Sequence, residues 1–201
     1  MIETFDQLKR VKINNQVRPL GWSKDEIAEL ALDELEEKGN CLLVVNTKKW
    51  AQQLYEYCAE ELEERSIFHL STNLCPAHRK EILATVRKRL ADQLPVLCIS
   101  TQLIEAGVDV DFNSVIRFLA GLDSIAQAAG RCNRHGNLPT AEVIVVNPEE
   151  EQIDMLEDIK IGRDKALRIF SEAQDDNLLD PEVMSRYFRY YFYDRADIMS
   201  Y

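Results

Sequence analysis

Short, almost unbroken apolar runs recur along this 201-residue chain, at Leu42–Val45, Val96–Ile99, Val115–Leu119 and Ala141–Val146, with helix-patterned stretches between them. Runs too short for a helix and apolar throughout read as strands buried on both faces. Ser66–Leu70 adds another strand, and Leu8–Ile13 alternates weakly, as an opening strand or a linker. Ser23 and Glu26 form a capping-box pattern ahead of a stripe of Ile27, Leu30, Ala31 and Leu35 that ends at Gly39. Thr47 starts a second helix, with Trp50, Leu54, Tyr57 and Cys58 inward, and Pro76 opens a third, basic one. Strands alternating with helices at this rhythm predict an α/β fold: a parallel sheet in three layers, with helices on both faces and right-handed crossovers. Ligands of such sheets collect beyond the carboxyl ends of the strands. Asn46-Thr47, Ser71-Thr72, Ser100-Thr101 and the Asp123 loop all fall there, so the motifs are expected on one rim.

The length suits one well-buried domain with an appendage. Residues 1–22 read as the opening strand or linker, 23–148 as the main lobe, and 149–201 as a helical C-terminal extension, because composition shifts to Glu149-Glu150-Glu151 after Asn147-Pro148. In the extension, Tyr187–Tyr193 is strongly aromatic. Rings at helical spacing more often pack on a core than serve as a stacking platform for bases, and packing is the expectation here. No apolar run approaches membrane-spanning length, and the start is not a signal peptide. Five widely spaced cysteines suit reduced core thiols in a cytoplasm. His69, His78 and His135 lack metal-ligand spacing. The net charge of −11 is unevenly spread, and residues 67–140 form the one net-positive third, with eight Lys/Arg against six Asp/Glu. Gripping a few backbone phosphates needs local positive charge only.

The chemistry concentrates in Gln127-Ala128-Ala129-Gly130-Arg131-Cys132-Asn133-Arg134. Asp123 and Ser124, with Gln127 completing a capping box, predict the first turns of a helix. On it Gln127, Arg131 and Arg134 would stand at i, i+4 and i+7 on one face. Gly130 would sit at the margin, letting a ligand approach the backbone. Two permanently charged forks and an amide suit a polyphosphate. About twenty residues upstream lies Ser100-Thr101-Gln102-Leu103-Ile104-Glu105-Ala106-Gly107-Val108-Asp109-Val110-Asp111-Phe112.

The two stretches together resemble the last two motifs of superfamily 2 helicases, a threonine-glycine-aspartate loop and a Q-x-x-G-R-x-x-R helix. Their wording is similar to that of the CRISPR-associated helicase-nuclease of type I systems, over about Arg10 to Asp194. The likeness extends only to the second RecA-like lobe of that longer protein. It implies arginine fingers at Arg131 and Arg134 that neutralise charge developing on the γ-phosphoryl group of ATP. Gln127 would orient the attacking water or a phosphate oxygen, Asp109 would hold the ribose edge or brace an arginine, and Gly107 would supply a tight turn or a close backbone approach. Thr101, with Thr47 and Ser71, would donate to backbone phosphates of single-stranded DNA, and Arg79 matches the nucleic-acid side loosely.

No G-x-x-x-x-G-K-[ST] loop occurs, and Asp25-Glu26 and Asp33-Glu34 read as a solvated helix face. The chain therefore lacks the parts that cradle ATP phosphates and hold Mg²⁺, and the resemblance implies that those parts, with a nuclease domain, belong to upstream regions, on an N-terminal RecA-like partner lobe and beyond. An RNA-guided surveillance complex is the partner that the resemblance implies. The rival readings are the lobe of a restriction- or repair-type DNA translocase, and a non-catalytic nucleic-acid-binding module.

Overall fold

In the computed structural model, which describes residues 10–62, 66–105, 108–173 and 177–193, six strands form a single all-parallel sheet. They are β1 (Val11–Asn15), β2 (Asn40–Val45), β3 (Ile67–Leu70), β4 (Val96–Thr101), β5 (Ser114–Phe118) and β6 (Ala141–Val146), in the order β1-β6-β5-β2-β4-β3. The opening segment is thus a true strand: β1 runs beside β6 with Val11 opposite Ala141 and Asn15 opposite Val145. The expected three-layer RecA-like arrangement is observed.

Helices α1 (Lys24–Lys38) and α2 (Lys48–Glu61) cover one face, and α3 (Pro76–Ala91), α4 (Leu122–Ala129), α5 (Glu157–Glu172) and α6 (Pro181–Tyr193) the other. Alternation along each strand feeds two cores. Leu42, Val44, Cys98, Val115, Val143 and Val145 face α3 to α6, while Cys41, Leu43, Val45, Ile99, Ile116 and Val146 face α1 and α2. Each such fully buried side chain contributes about 1.5–3 kcal/mol relative to exposure, which is why the central strands tolerate so little polarity.

Local signals act largely as the chain suggests. Ser23 Oγ accepts from the Glu26 N–H at 3.2 Å and Glu26 Oε2 from the Ser23 N–H at 2.8 Å, closing the capping box. Gly39 ends α1 at φ +79°, a left-handed conformation that costs glycine nothing. Cys41, Cys58, Cys98 and Cys132 are buried thiols, Cys75 is exposed, and all five are free.

The extension packs onto the lobe at a close approach. A Cβ on Gly162 of α5 would come within 2.9 Å of the Gly121 Cα, so only glycine admits this spacing. Beside it the fully buried Tyr187 of α6 donates its hydroxyl to Asp123 Oδ1 at 2.7 Å. The aromatic stripe is divided, however. Tyr187 belongs to the core, whereas Phe192 and Tyr193 are 51% and 82% exposed. Among the described residues no helix is long and apolar enough to cross a membrane.

Candidate functional site

The helix that carries Gln127 is shorter than the spacing suggests, which corrects the expected placement of the arginines. Its N-cap is Gly121, with no side-chain cap, and Ser124 lies inside the first turn. Asp123 is engaged by Tyr187 rather than by the helix end. The helix stops at Ala129, with Gly130 as C-cap at φ −65° and its N–H bonded to the Ala126 carbonyl. Gly130 therefore closes a helix. A Cβ there would meet the Gln127 carbonyl at 3.3 Å, tight against the helix's own backbone. Gln127 is exposed on the last turn, while Arg131 and Arg134 stand on the loop beyond, on no shared helix face.

Eight helical residues span only about 12 Å, so a chain leaving the carboxyl end of β5 at Leu122 is returned by α4 toward the amino end of the strands. There Phe112, just before β5, takes the Arg131 carbonyl on its N–H at 2.9 Å, and the Asn133 N–H bonds back to the Phe112 carbonyl at 2.8 Å. The single-rim expectation is corrected accordingly. Thr47, Ser71, Thr101 and the Asp123 loop lie beyond the carboxyl ends, and the arginine loop docks at the opposite end of β5.

That loop is built to hold two like charges together. Asn133 sits at φ +47°, which asparagine tolerates better than most residues. Its buried amide clasps Leu138, donating to the carbonyl at 2.8 Å and accepting from the N–H at 2.9 Å. Asp111 accepts from the N–H groups of Arg134 at 2.6 Å and His135 at 3.1 Å. Asp109 Oδ1 lies 3.3 Å from Arg134 Nη1, bracing that arginine. Arg131 turns back along the sheet, and its Nη2 donates to the Glu105 carbonyl at 2.8 Å.

The Arg131 Nε is buried with no hydrogen-bond partner. Burial, then the neighbouring Arg134, lowers the Arg131 pKa, with Asp109 and Glu105 pulling the other way. A half-buried guanidinium with an unused donor beside a second cation is an arrangement that an anion would relieve. Gly107 lies outside the described residues.

On the carboxyl rim, β2 and β4 are neighbours with Val45 opposite Thr101, which brings Thr47 and Thr101 to the same edge. Thr47 Oγ1 accepts from the Trp50 N–H at 3.3 Å as the N-cap of α2, so its own O–H can still donate outward. Thr101 is half-buried and makes no cap bond. Ser71 differs: it is fully buried, and its Oγ accepts from the Asn73 N–H at 3.4 Å, shaping the turn after β3. Arg79, on the first turn of α3, is half-buried with an unpartnered Nε. Among the described residues no group of three or more His, Cys, Asp or Glu could hold a metal ion.

One buried network centred on Arg117 escaped the sequence. Arg117, in the middle of an apolar strand, is fully buried, and its Nε lies 2.7 Å from Glu105 Oε1, also buried. Its Nη1 donates to Asn46 Oδ1 at 2.6 Å and to the Phe118 carbonyl at 2.8 Å. Asn46 Nδ2 continues to the Leu119 carbonyl and to Glu151 Oε2, which lies 3.7 Å from Arg163 Nη1 on α5. Burial pushes the Glu105 carboxyl up, and Arg117 partly restores it; Glu151 is raised for the same reason. Breaking such a pair from one side costs about 3–5 kcal/mol, because a lone charge remains buried. A charged residue inside an otherwise apolar strand was the available signal.

A six-stranded parallel sheet with helices on both faces and a paired-arginine loop is a RecA-like lobe of the helicase kind. The profile described as CRISPR-associated nuclease/helicase Cas3, C-terminal, matches residues 37–137, half of the chain, and the chain belongs to that family. A CRISPR-associated nuclease/helicase Cas3 of Methanothermobacter thermautotrophicus is 31% identical over 153 residues, 74% of this chain but 18% of that protein. The crystal structure of T. fusca Cas3-ATP superposes at a TM-score of 0.69 with 18% identity, covering 93% of this chain and 24% of that one. A Mycobacterium smegmatis helicase Lhr bound to single-stranded DNA and AMP-PNP superposes at 0.53 with 15% identity, covering 81% and 21%. The chain thus spans about a fifth to a quarter of these proteins' lengths.

Proposed function

We propose that this chain is the C-terminal motor lobe of an ATP-dependent superfamily 2 DNA helicase or translocase that pulls single-stranded DNA in CRISPR interference. The observation that carries the reading is the arginine loop: Arg131 and Arg134 are held together by Asp109, Asp111 and the Glu105 carbonyl, with one buried guanidinium donor unused. The fold keeps two cations side by side at a cost that a triphosphate offered by a second lobe would offset.

In this reading the N-terminal RecA-like lobe of the same protein cradles ATP and supplies the ligands for Mg²⁺. Arg131 and Arg134 close on the γ-phosphoryl group as arginine fingers, a contribution of about 10³–10⁵ in rate. Gln127, exposed on the last turn of α4, orients the attacking water, Asp109 braces Arg134, and Gly130 ends α4 so that the arginine loop can leave it. Thr101 and Thr47, with Arg79 nearby, donate to backbone phosphates and grip DNA without reading sequence. Closure at the nucleotide shifts the rim, and the strand is drawn toward the nuclease domain after an RNA-guided complex has opened the target in the cytoplasm. Lhr, of the same fold, is bound to single-stranded DNA and AMP-PNP, which supports a nucleotide and a single strand as the ligands in this reading.

The experiment that tests it is complementation. The lone chain should show no ATPase above background, and turnover should appear when it is joined to the nucleotide-binding lobe. Robust turnover by a clean preparation of the lone chain overturns the incomplete-motor reading.

A further inference from the structure

We infer that Arg117 is a positioning residue that couples the DNA rim of this lobe to its nucleotide-facing loop, acting through Glu105. The inference rests on the assignment of Arg131 to the phosphate side. Glu105 is the junction. Its backbone carbonyl receives Arg131 Nη2 at 2.8 Å, and its carboxylate lies 2.7 Å from Arg117 Nε. It also follows Thr101 by four residues, across the short helical turn Gln102–Ile104. From the other side of the guanidinium, Nη1 donates to Asn46 Oδ1 at 2.6 Å, and Asn46 immediately precedes Thr47, the N-cap of α2. The two threonines assigned to DNA and the arginine assigned to ATP are therefore joined by a path only a few residues long.

Three features make the path stiff. Arg117, Glu105 and Asn46 are 0%, 5% and 7% exposed, so water does not readily replace a stretched contact. One planar guanidinium meets Glu105 through Nε as an ion pair and Asn46 through an Nη1 hydrogen bond, with its buried Nη2 unpartnered, so a shift of either neighbour is felt by the same rigid group. The far side is anchored too, since Asn46 Nδ2 reaches Glu151 Oε2 at 3.2 Å and Glu151 faces Arg163 of the extension. Stability alone does not account for a buried charge pair here. Well-packed apolar residues of similar volume often serve as well or better, and Val115, on the same face of β5, is apolar. Displacement of the Thr47 or Thr101 backbone would pass through this fork to the Glu105 carbonyl and so to Arg131.

The test uses the two-lobe protein and measures ATP hydrolysis with and without an oligo-dT single strand. In the double variant Glu105→Gln with Arg117→Met both charges go together, so neither is left alone in the interior. The expected result is a loss of about tenfold or more in the ratio of DNA-stimulated to basal turnover. The KM for ATP and the affinity for the oligonucleotide should stay within about twofold and basal kcat should fall far less than stimulated kcat, a split that a merely structural role would not produce. Arg117→Lys separates the roles further. A lysine balances the Glu105 charge but is a single point that does not span to Asn46, so stimulation should remain lost. Wild-type stimulation in either variant, or a parallel fall of basal and stimulated rates, overturns the inference. If the double variant does not fold, as read by its melting curve, Arg117→Lys alone decides. Unimpaired turnover in Arg131→Ala would instead remove the assignment beneath it, whereas a dead Arg131→Ala beside normally stimulated Arg117 variants sinks only the coupling.

Discussion

Arg131 donates from Nη2 to the backbone carbonyl of Glu105 at 2.8 Å, bridging 26 residues of sequence. This contact ties the loop after α4 to the segment after β4, and it makes the two motifs one site although the arginine loop docks at the amino end of β5 and residues 102–105 follow the carboxyl end of β4. Because the acceptor is a main-chain carbonyl, the geometry depends on the path of residues 102–105 more than on any side chain there.

Arg134 and Asp109 form the exposed half of the site, with side chains 35% and 71% accessible. An ion pair so wet contributes less than about 1 kcal/mol to folding. Asp109→Asn should therefore leave the urea midpoint of the chain almost unchanged while lowering ATP turnover of the two-lobe protein. A loss of stability with normal turnover would make Asp109 a structural brace only.

Asp111 accepts two backbone N–H groups, those of Arg134 and His135. Hydrogen bonds to a charged acceptor are worth about 1.5–3 kcal/mol each, and water recovers part of this at a half-exposed site. Asp111→Ala should cost roughly 2–3 kcal/mol in urea unfolding, and Asp111→Asn, which keeps one acceptor oxygen, distinctly less. Equal losses would show that the carboxylate is not what shapes the loop.

Tyr187 carries the docking of the extension onto the lobe through its hydroxyl on Asp123. Burial and then that carboxylate push its pKa well above the usual phenol range, so it donates throughout the working pH range. Tyr187→Phe should cost about 1–3 kcal/mol, because Asp123 loses a buried donor. Thermal unfolding indistinguishable from wild type would place the anchorage elsewhere, at the Gly162–Gly121 approach.

His69, on edge strand β3 with its ring tilted against Tyr55 at a centroid distance of 5.6 Å, has its pKa lowered from the usual 6.5 by burial, with Glu56 opposing. Folding thus favours the neutral ring. The stability it lends is complete above about 6.5 and is lost as pH falls through the lowered folded value, since the unfolded chain takes up the proton first. His69→Gln should flatten stability against pH as it falls below about 6.5. An unchanged slope would assign the acid sensitivity to other groups.

Much of the fold was legible because the signals that carry it are local. Leu42–Val45 and Val96–Ile99 are apolar at every position, and Ser23, Glu26 and Gly39 bracket α1 as their chemistry requires. For the candidate site, the sequence singled out residue types but not their arrangement. Ser124 and Gln127 imitate a capping box, yet the contact that matters for Asp123 comes from Tyr187, 64 residues away. The spacing of Gln127, Arg131 and Arg134 imitates a helix face, yet Gly130 ends the helix and Asn133 reverses the chain at positive φ. Arg117 could be noticed as a charge in a strand, but its partners Glu105 and Asn46 lie on other strands' loops, and local pattern does not reveal them.

In the proposed motor, Arg131 and Arg134 meet a triphosphate carried by the neighbouring lobe. Single-turnover ATP hydrolysis by the two-lobe protein, with ATP binding measured in parallel, tests this most directly. Arg131→Ala and Arg134→Ala should each slow hydrolysis by about 10³-fold or more while ATP still binds and the melting temperature holds. Near-normal hydrolysis in both variants would contradict it.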